Sequence, residues 1–245
     1  VVKNIYVGTS GWQISHSVGS FYPHALASSD RLNFYSRHLN SVEINSTFKS
    51  YPKSSTMEKR YSETPGDFKF AIKAHKDFTH IHPMTDPEEN WSRFFDSLKC
   101  LGEKLGPVLF QFAPSFRQDL KLLKNWLKTL DKDFKYAFEF RNPSWFCAKT
   151  YHLLKSFDAA LCISDFRTLR SPYVSTATWG YFRLHGPLIL PYRGSYDSDA
   201  LTDWAQVACS LFKDKVIYAF LDNTMSGCAP QNALDFSHIL HTNIK

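Results

Sequence analysis

The sequence lacks most features that mark a specialised protein. Its five cysteines, Cys100, Cys147, Cys162, Cys209 and Cys228, are scattered, odd in number and without any CxxC spacing. That argues against a disulfide framework or a zinc–thiolate site and fits reduced thiols in a cytosolic protein. No apolar run is long enough to cross a bilayer, and the first residues enter a strand-like run with no basic start. Neither a membrane partner nor a secretory leader is expected, and the expected location is the cytoplasm. There is no low-complexity tract, no linker-like stretch, no HExxH pair and nothing close to a P-loop. A single domain over residues 1–245 is the expected organisation.

What is present is regular. The length of 245 residues is close to the roughly 250 typical of one β/α barrel. Aromatics reach 16%, a share large enough to supply rings that stack flat ligands beside polar loops. The formal charge is +6 and the pI is near 9.0, which favours acidic partners such as phosphates, nucleotides or nucleic acid. Part of that charge reads as solvated surface: Lys104, Lys121, Lys124, Lys128, Lys132 and Lys135 lie on or beside expected helices.

Eight β-rich runs end in polar residues: Ile5–Ser10, Ser41–Ser46, Phe68–His75, Val108–Phe112, Tyr136–Arg141, Ala160–Asp165, Gly180–His185 and Val216–Asn223. Helical apolar spacing falls between them. It is carried by Trp91, Phe94, Phe95, Leu98, Leu101 and Leu105, by Leu120, Leu123, Leu127 and Leu130, and by Leu201, Trp204, Ala208 and Leu211. Strand–helix alternation of this kind predicts a parallel sheet with right-handed crossovers. Eight units in this length predict closure into a (β/α)8 TIM-type barrel, with an open doubly wound sheet as the alternative.

Period-two alternation sorts the strand faces. Lys69, Ala71, Lys73 and His75 share one face, as do Glu43 with Asn45, Ala137 with Glu139 and Arg141, and Arg183 with His185. Inward barrel positions cannot carry unpaired charge cheaply, so these residues point to a mouth where strands converge.

The strand ends also resemble a known family. Val7-Gly8-Thr9-Ser10-Gly11-Trp12, Phe21-Tyr22-Pro23 and Val42 to Phe48 look like the opening of the YecE-like family, a domain of unknown function. Phe68 to Lys76 with Thr79-His80, Glu139-Phe140-Arg141-Asn142 with Trp145, Tyr181 to Gly186 with Tyr192 and Gly194, and Asp222-Asn223-Thr224 with Gly227-Cys228-Ala229 and Asn232-Ala233 continue the likeness. The resemblance implies a TIM-type barrel and no particular reaction. Two positions depart from the usual family pattern: Lys49 stands where Tyr is usual, and Asp222 where an asparagine is frequent.

In barrels of this type chemistry sits at the C-terminal strand ends. Glu139 is the expected base, with Lys73 and Arg183 as electrostatic stabilisers. Glu43, Asn45, His75, Gln111, Arg141, Asp165, His185, Tyr192, Asp222, Asn223 and Trp12 are the expected substrate-binding residues. The plainer alternative for this set is a group of salt bridges that closes the barrel top. No cofactor is expected. A divalent metal on Glu43, His75, Glu139, Asp165 and His185 is the competing option, opposed by fixed cations at the same mouth.

Rim loops mix Lys49, Lys53, Lys76, Arg117, Arg167, Arg170 and Arg193 with Trp12, Tyr22, Tyr51, Trp145, Phe166, Tyr192 and Tyr196. Such a mixture suits a phosphate with a stacked ring. The expected function is an enzyme acting on a phosphorylated or nucleic-acid-like substrate by hydrolysis or acid–base chemistry. The alternative is a non-catalytic binder of nucleotide, RNA or a small anion.

Overall fold

The computed structural model describes residues 5–85, 88–166 and 169–243. Its eight strands are β1 (Ile5–Ser10), β2 (Ser41–Ile44), β3 (Lys69–Lys73), β4 (Leu105–Gln111), β5 (Tyr136–Glu139), β6 (Ala160–Ser164), β7 (Trp179–Leu184) and β8 (Val216–Leu221). Each pairs in parallel with the next, and β1 pairs with β8 through Ile5–Ile217 to Thr9–Leu221, closing the barrel. The helices are α1 (Arg31–Tyr35), α2 (Ser54–Ser62), α3 (Glu88–Leu98), α4 (Leu120–Thr129), α5 (Ala148–Lys155), α6 (Ser198–Phe212) and α7 (Ala229–Asn243). The open-sheet alternative is thereby excluded. Among the described residues no helix is long and apolar enough to cross a membrane.

Three local expectations change. The α3 stripe does not run on to Leu105: the helix stops at Leu98, an irregular turn passes Gly102, and Leu105 opens β4. The early start of β4 depends on Gly106, where a Cβ would stand 3.0 Å from the Phe70 carbonyl oxygen. A register shift between Phe70 and Ile72 accompanies that close approach. Between β6 and β7 no helix forms among the described residues. Hydroxyls do the edge work there, with Ser171 Oγ accepting from Ser164 N at 2.7 Å and Thr176 Oγ1 accepting from Leu161 N at 2.7 Å.

Lys104 is the third change. Far from being solvated, it is buried, and its Nζ donates to the carbonyl of Tyr61 (2.6 Å), in the last turn of α2, and to that of Thr64 (2.7 Å), just past it. A charged donor here satisfies carbonyls that the helix end leaves open. Lys104→Met leaves them without that donor. Urea unfolding should register a loss of about 1–3 kcal/mol, the usual cost of an unsatisfied buried group.

Two apolar layers build the barrel. Outward residues such as Val42, Ile72, Phe110, Phe138 and Phe182 pack under the helices. Inward residues Ala71, Leu109, Ala137, Cys162, Trp179, Tyr181, Tyr218 and Phe220 fill the lumen, with Tyr6 stacked on Tyr218 at 5.0 Å. Above this aromatic floor the inward positions change abruptly to Ser10, Glu43, Lys73, Gln111, Glu139, Arg183 and Asp222. The aromatic floor packs beneath them and most are almost wholly buried, so these charges lie in a medium of low dielectric.

Candidate active site at the C-terminal rim

Arg183 on β7 occupies the centre. Its Nε donates to Glu43 Oε2 at 3.0 Å and its Nη2 to Glu43 Oε1 at 2.8 Å. Nη1 donates to Glu139 Oε2 at 2.7 Å, and Nη2 also reaches Asp222 Oδ2 at 3.0 Å. His185 Nε2 lies 3.1 Å from Nη1. The guanidinium fork suits this task because its planar N–H groups can serve several carboxylates at once. Ser10 Oγ and Tyr181 Oη complete Glu43, donating to Oε1 at 2.8 Å and Oε2 at 2.7 Å. Arg141 Nε donates to Glu139 Oε1 at 2.8 Å. All oxygens of Glu43 and Glu139 are thus engaged. Among the described residues Asp222 keeps Oδ1 without a hydrogen bond.

The environments separate these groups. Burial alone would raise the Glu43 carboxyl, but Arg183 overrides it and holds the group below its ordinary value. Glu139 is likewise pushed up by burial and then drawn well below the carboxylate range by Arg141 and Arg183. Asp222 goes the other way: burial raises it more than Arg183 and His185 lower it. Lys73 is brought down to about 8, first by burial and then by Arg183. Its ammonium donates to the neutral Gln111 Oε1 at 2.9 Å and sits 4.4 Å from the Phe48 ring centroid. Two titratable groups with oppositely displaced pKa values at one end of the barrel are the usual mark of an acid–base pair.

Arg141 lies flat over Phe166, its guanidinium carbon 3.7 Å from the ring centroid. Among the described residues only its Nε is hydrogen-bonded, and its terminal amines have no hydrogen-bond partner. Beside Lys73, His80 packs edge-on against Phe48 at 5.0 Å.

The other expected residues divide. Asp165 is wholly engaged, accepting from His185 N at 2.7 Å and from Tyr196 Oη; it orients the His185 segment. Tyr192 rests edge-on to His185 at 5.8 Å. Its amide donates to the His185 carbonyl and its carbonyl accepts from Met225 N. Asn45 lies just past β2 with a buried, unpartnered Oδ1.

His75 leaves the inward face because β3 ends at Lys73. It stacks on Tyr51 at 4.1 Å and meets Asp77 Oδ2 at 3.1 Å. Asn223 turns into the loop layer, donating to Gly194 O and Asn232 Oδ1, both at 2.8 Å. Trp12 packs under the Arg60 guanidinium, 5.1 Å away. Arg167 lies outside the described residues. Ser10 and Tyr181 were absent from the expected set. Both share their strand's inward parity, Tyr181 with Arg183, and that alone would have included them. Among the described residues no group of three or more His, Cys, Asp or Glu is arranged around a metal position; the centre of the carboxylates is held by a guanidinium.

Eight parallel strands closed on a charged rim define a TIM-type barrel. The chain belongs to the family described as protein of unknown function DUF72, which it matches over residues 6–245. It is 34% identical to the UPF0759 protein YunF of Bacillus subtilis over 162 residues, covering 62% of this chain and 56% of that protein. It is 28% identical to the UPF0759 protein YecE of Escherichia coli over 116 residues, covering 47% and 43%. The chain thus spans about half the length of the curated relatives it matches. A crystal structure of a DUF72 family protein from Thermotoga maritima superposes with a TM-score of 0.86 at 28% identity, covering 97% of this chain and 99% of that one. SacUVDE shares the fold alone, at a TM-score of 0.59 and 7% identity, covering 98% of each chain.

Proposed function

We propose that this chain is an enzyme that hydrolyses a phosphorylated substrate at the barrel mouth, with Lys73 and Asp222 as the proton-transfer pair. The observation that carries the reading is the unequal commitment of the charged groups. Glu43 and Glu139 spend every oxygen on guanidinium and hydroxyl donors, whereas Asp222 Oδ1 and two of the Lys73 N–H bonds remain available. Glu139, the base expected from sequence, is better suited to hold Arg183 and Arg141 in place. A carboxylate stabilised by two guanidiniums accepts protons poorly.

The phosphate rests against the terminal amines of Arg141 and the Lys73 ammonium. Asp222 takes a proton from an attacking water as its oxygen bonds to phosphorus. The ester P–O bond breaks, and Lys73 gives a proton to the leaving oxygen. The test is product release from a panel of phosphomonoesters and phosphodiesters. Turnover of one class, lowered about 10²–10⁴-fold in Asp222→Asn, is expected. Tight binding of these compounds without turnover would instead mark a non-catalytic anion binder.

A further inference from the structure

The mouth carries an apolar projection that hydrolysis of a small phosphate does not use. After β7 the chain forms a loop whose tip, Leu188-Ile189-Leu190, sits between Pro187 and Pro191. These three side chains are 54%, 78% and 64% exposed, and neighbouring Met225 is 49% exposed. Consecutive large aliphatics in water are costly and mark a contact surface. The loop is held firmly. Gly186, at φ +113°, lets its backbone approach the Arg193 carbonyl to a distance that a Cβ would close to 2.2 Å. Tyr192 N bonds to the His185 carbonyl, Met225 N to the Tyr192 carbonyl and Gly194 N to Ser226 Oγ.

Two further features surround this tip. A cavity of about 300 Å³ opens between the β1 and β8 loops, lined by Ser10, Gly11, Ile14, His16, Thr224 and Met225. It shares Met225 with the apolar surface and Ser10 with the Arg183 network. Around the rim Lys49, Lys53, Lys76, Arg117 and Arg193 are exposed, and none forms a salt bridge among the described residues. Fixed cations around a phosphate-handling mouth complement a polyanion.

From these we infer that the substrate is a strand of stacked nucleic acid, with Leu188–Leu190 inserted as a wedge between bases and the displaced base received in the cavity beside Met225. Aliphatic side chains separate stacked bases in this way, and a base displaced from the stack needs a pocket to receive it. The inference rests on the proposed phosphate chemistry and names its substrate. Continuity of the tip with that mouth favours nucleic acid over a lipid surface.

The experiment uses short DNA and RNA duplexes carrying 2-aminopurine, whose fluorescence rises on unstacking, titrated with the full chain. The expected result is salt-dependent binding with rising fluorescence. In the Leu188→Ser/Ile189→Ser/Leu190→Ser variant the rise disappears and affinity falls about tenfold, or roughly 1.4 kcal/mol. DNA against RNA identifies which source the wedge accepts. The inference is overturned by absence of nucleic-acid binding, by binding without a fluorescence rise, or by a variant that behaves as the parent. It is overturned equally if the chain sediments with phosphatidylserine vesicles and ignores both duplexes. Turnover of small phosphoesters alongside any of these failures would leave the phosphate chemistry standing and remove only the wedge.

Discussion

Arg183→Met is expected to lower folding stability by about 3–5 kcal/mol at neutral pH, the usual penalty for stranding a buried charge. For a chain of this size that is a fall in melting temperature of roughly 6–20 °C. The cause is Glu43, Glu139 and Asp222, all buried and all bonded to this one guanidinium. Without it three carboxylates face one another in a low-dielectric lumen.

The pH dependence has a definite sign. In the folded parent Glu43 and Glu139 titrate below their ordinary value of 4.5. Their contribution is fully present above that value and is lost as pH falls through the folded pKa values. Asp222, raised when folded, runs the other way and gains as pH falls. In the variant Glu43 and Asp222 lose their guanidinium and Glu139 keeps only Arg141, so burial favours the protonated forms and acid relieves them. The stability gap between parent and variant should therefore narrow from pH 7 toward pH 5. Urea unfolding at the two values measures it. A gap that widens on acidification, or no gap at pH 7, would show that Arg183 does not neutralise these groups.

Lys73→Met is expected to lower phosphoester turnover by about 10²–10⁴-fold, with no loss of stability. The two effects have one origin. Folding lowers the Lys73 pKa from 10.5 to about 8, mainly through burial. The folded state is therefore penalised below pH 8 and recovers as pH rises toward 10.5. Methionine removes that penalty and gives up a bond to a neutral amide, Gln111. For the parent, kcat/KM should fall above pH about 8 as the ammonium loses its proton, and on the acid side as Asp222 gains one. Lys73→Arg keeps the charge but holds its proton far too tightly to donate it, so the alkaline limb should vanish together with most activity. A Lys73→Arg enzyme with parental rate and an unchanged alkaline limb would remove Lys73 from proton transfer.

Strand alternation revealed much of this barrel because a one-residue step reverses a side chain's face. Charges in phase along β3, β5 and β7 had to meet inside, and Arg183 and Glu139 do. Alternation indicates a face and is silent about partners. In the sequence Glu139 reads as the base and Asp222 as a binding residue, although Arg141 and Arg183 engage both oxygens of Glu139 while Asp222 is bonded through Oδ2. Alternation also cannot show where a strand stops. His75 and Asn223 lie past the ends of β3 and β8, where the loop conformation directs them to Tyr51 and Asn232. Lys104 escaped for another reason: its carbonyl partners lie at and just past a helix end, 40 and 43 residues earlier in the chain, and composition sees only one more lysine.

A hoop tied across its own diameter cannot be squashed. From β7, Arg183 grips side chains on β2 and β5 and the residue just past β8, so the opening keeps a constant outline while the tether holds. Ligands of different shape must then be accommodated above it, by lengthening or recolouring the loops. This barrel can change what it accepts without rebuilding what lies underneath.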